Sequence, residues 1–116
     1  MERIVNRKFK MPNHSASNLI HKGFRPIYNT DEGDEMYKYS FTMKPRETMA
    51  LIGEIFVSLQ TGEVTLQTKK IDGSFYAPFT NPAFESQYKV LLSKMDRNFE
   101  KQLKYLGAEE VKKNAG

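Results

Sequence analysis

Residues 52–76, IGEIFVSLQTGEVTLQTKKIDGSFY, decide how this chain folds. Around their start the apolar residues Leu51, Ile55, Val57 and Leu59 fall on alternate positions. Glu54, Ser58 and Gln60 take the other set, with Ile52 and Phe56 among them. Alternation with period two, rich in β-branched residues, marks a strand with one buried face. Val64, Leu66 and Thr68 repeat the pattern, while Thr65, Gln67 and Lys69 face away. Between the two runs, Gln60-Thr61-Gly62-Glu63 fits a turn closed by a left-handed glycine. Asp72-Gly73 is the favoured pair for a tight hairpin, so residues 74–76 return as a short third strand.

The apolar face of this meander must be covered, and the cover lies downstream. Asn81-Pro82 opens a helix, because Asn caps and Pro is tolerated in the first turn. Phe84, Tyr88, Leu91, Leu92, Met95, Phe99, Leu103 and Leu106 recur every three or four residues and form one stripe. Gly107 stops the helix. Upstream, residues 36–43 alternate again, with Tyr37, Tyr39, Phe41 and Met43 on one face, and Lys44-Pro45-Arg46-Glu47 breaks that strand. The aromatic row suits core packing. A base-stacking platform is the alternative, but the glycine-aromatic signature of RNA-binding sheets is missing. Pro26 keeps residues 24–28 extended. Residues 15–23 read as a short helix, with Ser15 or Ser17 as cap and Gly23 at its end. Residues 1–14 are basic, and Ile4-Val5 and Phe9 fit an edge strand or an arm reaching a partner.

The expected fold is α+β: an antiparallel four- to five-stranded sheet covered on one face by a long C-terminal helix, with a short N-terminal helix. Residues 1–107 form a single domain and 108–116 a polar tail.

A chain of 116 residues buries a real core as one domain. It has no cysteine, so disulfides, thiolate metal sites and cysteine nucleophiles are excluded, which fits a reducing cytoplasm. No apolar run approaches the ~20 residues that span a bilayer. The N-terminus lacks the apolar core of a secretory signal. A cytoplasmic protein without a membrane partner is the expectation.

Motifs for catalysis are missing: no G-x-S-x-G, no H-E-x-x-H, no glycine-rich phosphate loop. His14 and His21 have no zinc-type spacing. Asp31, Glu32, Asp34 and Glu35 form an acidic loop without the calcium-loop spacing. No catalytic residue, metal or cofactor is assigned, and the chain is expected not to be an enzyme.

Two surfaces remain as candidates for binding a protein. The outer sheet face carries one large apolar residue, Phe56, among polar neighbours; its ordinary role is to meet water, and its sharper role is to anchor a partner. Opposite the helix stripe, Lys94, Arg97, Lys101 and Lys104 stand on one ridge by their steps of three, four and three. A solvated helix back with local pairs such as Glu100 with Lys104 is the plain reading. A docking ridge for an acidic surface or for phosphates is the functional one. The net charge of +4 is concentrated early, so Arg3, Arg7, Lys8, Lys10 and Arg25 form the alternative, nucleic-acid-binding set.

Gly23-Phe24-Arg25-Pro26-Ile27-Tyr28, Tyr37-Lys38-Tyr39 and the run from Gly53 through Gly62 to Val64 resemble small proteins carried by phages and integrative elements of low-GC Gram-positive bacteria. The resemblance covers residues 23–106 and rests on strand patterning and turn glycines. It implies an accessory role, inhibiting a host factor such as a defence nuclease by binding it. No functional residue carries over from it.

Overall fold

The computed structural model describes residue 4 and residues 7–27, 35–74 and 85–111, with the side chains of residues 46 and 85–88 excepted. Among them, six strands and two helices run in the order β1 (Phe9–Lys10), α1 (Ala16–His21), β2 (Arg25–Ile27), β3 (Met36–Arg46), β4 (Met49–Ser58), β5 (Glu63–Lys70), α2 (Glu85–Leu106) and β6 (Glu109–Glu110). The strands form one sheet, ordered β2-β3-β4-β5-β1-β6, with every pairing antiparallel. This is the expected α+β architecture, with β6 added to it.

The alternation read from the sequence sets the two faces. Tyr39 pairs with Ile55 and Ile55 with Leu66; Tyr37 pairs with Val57 and Val57 with Val64. Directly paired residues share a face, so these rows make the inner face. Across it lies α2, burying Leu91, Met95, Phe99, Leu103 and Leu106. Each such side chain contributes about 1.5–3 kcal/mol when fully withdrawn from water. Phe99 meets Phe41 edge-on at 5.2 Å between centroids, and the Tyr39 hydroxyl donates to Gln102 Oε1 at 3.0 Å. The helix ends as expected at Gly107, whose φ is +82°. Gly107 N–H donates to the Lys104 carbonyl and Ala108 N–H to the Leu103 carbonyl, the crossed pair that closes a helix at a left-handed residue. Helix α1 ends the same way, and Ser15 rather than Ser17 caps its start. Leu19 and Phe24 flank that end and are both fully buried.

Three local features differ from the sequence reading. First, β3 does not break at Lys44-Pro45. Met43 pairs with Leu51 and Arg46 with Met49, so three steps on β3 face two on β4. A bulge absorbs the extra residue and removes the need for a proline N–H in the ladder. The hairpin turn is Glu47-Thr48. Second, β1 is not an edge strand: it lies between β5 and β6. Phe9 faces Val64 on one side and Glu110 on the other. Ile4, upstream, is buried, and its N–H points to Asp96 Oδ2 of α2 at 3.4 Å. Third, residues 109–110 are a strand within what reads as a polar tail. Arg7 donates twice to the Glu110 carboxylate, and Val111 N–H donates to the Lys8 carbonyl at 2.8 Å.

The β4–β5 turn is closed as expected by Gly62, at φ +77°. Its N–H returns to the Ser58 carbonyl, and its own carbonyl accepts from Met11 N–H, both at 2.8 Å. At Asp72-Gly73 the chain turns back, with Gly73 N–H to the Lys70 carbonyl and Lys70 N–H to the Ser74 carbonyl. The strand continuation at 75–76, the Asn81-Pro82 cap, Phe84, the Tyr88 side chain and the acids at 31, 32 and 34 lie outside the described residues.

Candidate functional site

The outer face of the sheet carries Arg25, Lys38, Phe56 and Thr65 in one cross-strand row, and Ser40, Glu54 and Gln67 in the next. It is less open than its composition suggests. Phe56 is half-buried rather than exposed, and Glu54 is only 3% exposed. The Glu54 carboxylate receives Lys38 Nζ and Lys69 Nζ, each at 3.3 Å, and Gln67 Nε2 at 2.8 Å. A carboxylate withdrawn from water needs such donors. The centre of this face is therefore a satisfied charge network that ties β3, β4 and β5 together. Phe56 lies along it as packing, which weakens its role as an anchor.

The basic N-terminal set is divided: Arg7, Lys8 and Lys10 stand together at β1, and Arg25 stands apart on β2. Arg7 is bound to Glu110 at 2.6 Å. Lys10 is paired across the strands with Glu63 and with Glu109. A groove of about 680 Å³ opens beside them, and Arg7, Lys8 and Lys10 line it together with Phe9, Glu63 and Val64. Arg25 is at the far end of the sheet, four strand steps from β1, or about 19 Å at ~4.8 Å per step. Arg3 lies outside the described residues. The histidines are apart: His14 donates from Nδ1 to the Leu59 carbonyl at 2.7 Å, which spends it on the β4–β5 turn, and His21 is exposed in the last turn of α1. Among the described residues no group of three His, Asp or Glu side chains is placed to hold a metal. No described helix is long and apolar enough to cross a membrane.

The third candidate is brought together as the spacing implies. Lys94, Arg97, Lys101 and Lys104 are all exposed on α2. They extend over about 15 Å of its axis. The expected Glu100–Lys104 pair is not formed: among the described residues none of the four cations meets a carboxylate at salt-bridge distance. Two apolar side chains missing from the sequence reading stand with them, Val90 at 63% and Tyr105 at 66% exposure. At 100° per residue, all six fall within a sector of about 100°, centred roughly opposite Phe99. Lys22, from the end of α1, places its ammonium 5.8 Å from the Tyr105 ring centroid and extends the positive surface past the helix end. The stripe follows from the sequence once α2 is phased on its buried side. Because α2 covers the inner sheet face, this stripe and Phe56 look out from opposite sides of the domain.

No protein-family model, curated protein or solved structure matches the chain.

Proposed function

We propose that the chain is a small non-enzymatic binding protein, an accessory factor of a phage or mobile element, that acts by engaging and inhibiting a host protein such as a defence nuclease. Its working face is the outward side of α2. The observation that carries this reading is the line of four exposed cations at Lys94, Arg97, Lys101 and Lys104, none of which meets a carboxylate among the described residues. On a solvated helix back such charges are commonly compensated by neighbours at i±4; here they are left for an outside partner. A field of one sign on a rigid element steers association with an acidic surface. Capture from a Gram-positive host lysate tests the reading, with the wild-type chain and Arg97→Glu/Lys101→Glu as paired baits over a salt series. A protein held by the first and lost by the second is the expected result. Identical or empty captures count against it.

Nucleic-acid binding is the second reading, and the same ridge favours it, since phosphates also match a line of cations. Of the N-terminal set, Arg7 is held by Glu110 and Arg25 is remote, so Lys8 and Lys10 are what β1 adds to the α2 ridge. Gel retardation with duplex and single-stranded probes separates the two readings.

A further inference from the structure

We infer that the α2 face is shaped for an acidic helix of a partner protein, with an apolar contact at each end, and not for a nucleic-acid backbone. This rests on the reading of α2 as the working face and adds the chemistry of its occupant.

The ends of the stripe carry the argument. Val90 and Tyr105 are among the most exposed apolar side chains of the described residues, and they bracket the four cations. They stand 15 positions apart, or about 22 Å along the helix. A phosphate backbone supplies charge at even intervals but no apolar socket, so Val90 would stay wet against it. Tyr105 alone can stack on a base, and the Lys22 ammonium 5.8 Å from its ring suits a phosphate as well as a carboxylate, so Val90 is the residue that separates the two occupants. Protein interfaces, by contrast, use aromatic and arginine side chains as anchors, with charge setting register and encounter.

The spacing narrows the occupant further. Cations at steps of three, four and three along one straight ridge match carboxylates at the same steps on a second helix laid alongside. Apolar residues on that same contact face, at either end of the acidic run, meet Val90 and Tyr105. The partner segment is then an amphipathic acidic helix, charged in the middle of its contact face and apolar at its limits.

The test uses the full chain and two probes at equal, near-physiological salt: a fluorescent helical peptide with glutamates at three-four spacing between two leucines about 15 positions apart, and a short DNA duplex. Fluorescence anisotropy is read for wild type, Arg97→Glu/Lys101→Glu, Val90→Ser and Tyr105→Ser, with circular dichroism confirming that each variant keeps its fold. The expected result is peptide binding that falls about tenfold or more on charge reversal. Each end variant lowers it by about three- to tenfold. Duplex binding should be weaker than peptide binding and indifferent to the serine variants. Tighter binding of the duplex, no binding of the peptide, or serine variants equal to wild type overturns the inference and leaves the cationic face in place. Charge reversal without effect on either probe removes the face itself.

Discussion

Gly53→Ala should destabilise the protein although the backbone at Gly53 is ordinary strand and alanine suits a strand better than glycine. The reason is the residue opposite. Gly53 pairs with Phe41, whose ring lies over the space a Cβ would fill. That Cβ would come 2.7 Å from Cε1 and 3.0 Å from Cε2 of Phe41, and nearer still to Cζ. Ordinary carbon contacts need about 3.5 Å, so the ring must move. It is confined by Phe99, which meets it edge-on at 5.2 Å and is fully buried, and by Tyr39 at 6.3 Å. Overpacking of this kind costs about 1–3 kcal/mol, and the stiffer alanine in the unfolded chain offsets about 0.4–1 kcal/mol. The net loss should be about 0.5–2 kcal/mol. Removing the ring reverses the sign: in a Phe41→Ala background, Gly53→Ala should stabilise by about 0.4–1 kcal/mol. Urea unfolding of the four proteins of the cycle gives the coupling directly. A neutral Gly53→Ala, or the same change in both backgrounds, would refute the account of how Phe41 reaches Phe99.

Gly62→Ala should cost about 2–4 kcal/mol by urea unfolding, because it combines a left-handed backbone with overpacking. Its Cβ would meet the Met11 carbonyl oxygen at 2.8 Å. Gly107→Ala, with nothing within 4 Å, should cost only the backbone part, about 1–2 kcal/mol, and equal losses would be the wrong result. Glu54→Ala strips Lys38 and Lys69 of their shared carboxylate; since those side chains are 37% and 28% exposed, the expected loss is about 1–3 kcal/mol rather than the full value for a buried pair. The Asp72 carboxyl titrates below its ordinary range, first because the Ser74 hydroxyl donates to it and then because the Ser74 N–H does. Its contribution to the 70–74 turn is therefore present above the ordinary carboxylate pKa and lost as pH falls through the lowered one. Ser74→Ala should move the Asp72 titration, followed by NMR, back upward.

Much of this fold is legible because alternation and helical spacing are local signals. Tyr37 to Met43, Leu51 to Val57 and Val64 to Thr68 take their faces from period two alone. Leu91 to Leu106 take theirs from the three-four spacing, and that phase also fixes the cationic stripe opposite. What escapes a local reading is pairing across long separations. Glu109–Glu110 looks like tail because its partner, the basic segment Arg7–Lys10, lies a hundred residues upstream, and the attraction between them appears only when the chain closes. Pro45 reads as a strand end because a bulge is invisible without the register of β4. Glu54 reads as a wetted residue because Lys38 and Lys69 come from the two neighbouring strands. Val90 and Tyr105 were legible by angle, but single apolar residues on a polar face carry little weight until their exposure is known.

One side of α2 holds the domain through Leu91, Met95, Phe99, Leu103 and Leu106, and under the proposed function the other meets a partner. Measuring the urea midpoint and the partner affinity of Arg97→Glu/Lys101→Glu beside Phe99→Ala tests this division most directly. Charge reversal should leave stability within about 0.5 kcal/mol of wild type and lose the partner, while Phe99→Ala should cost about 3–5 kcal/mol. Charge reversal that keeps the partner at full affinity, or that unfolds the domain as readily as Phe99→Ala, would contradict it.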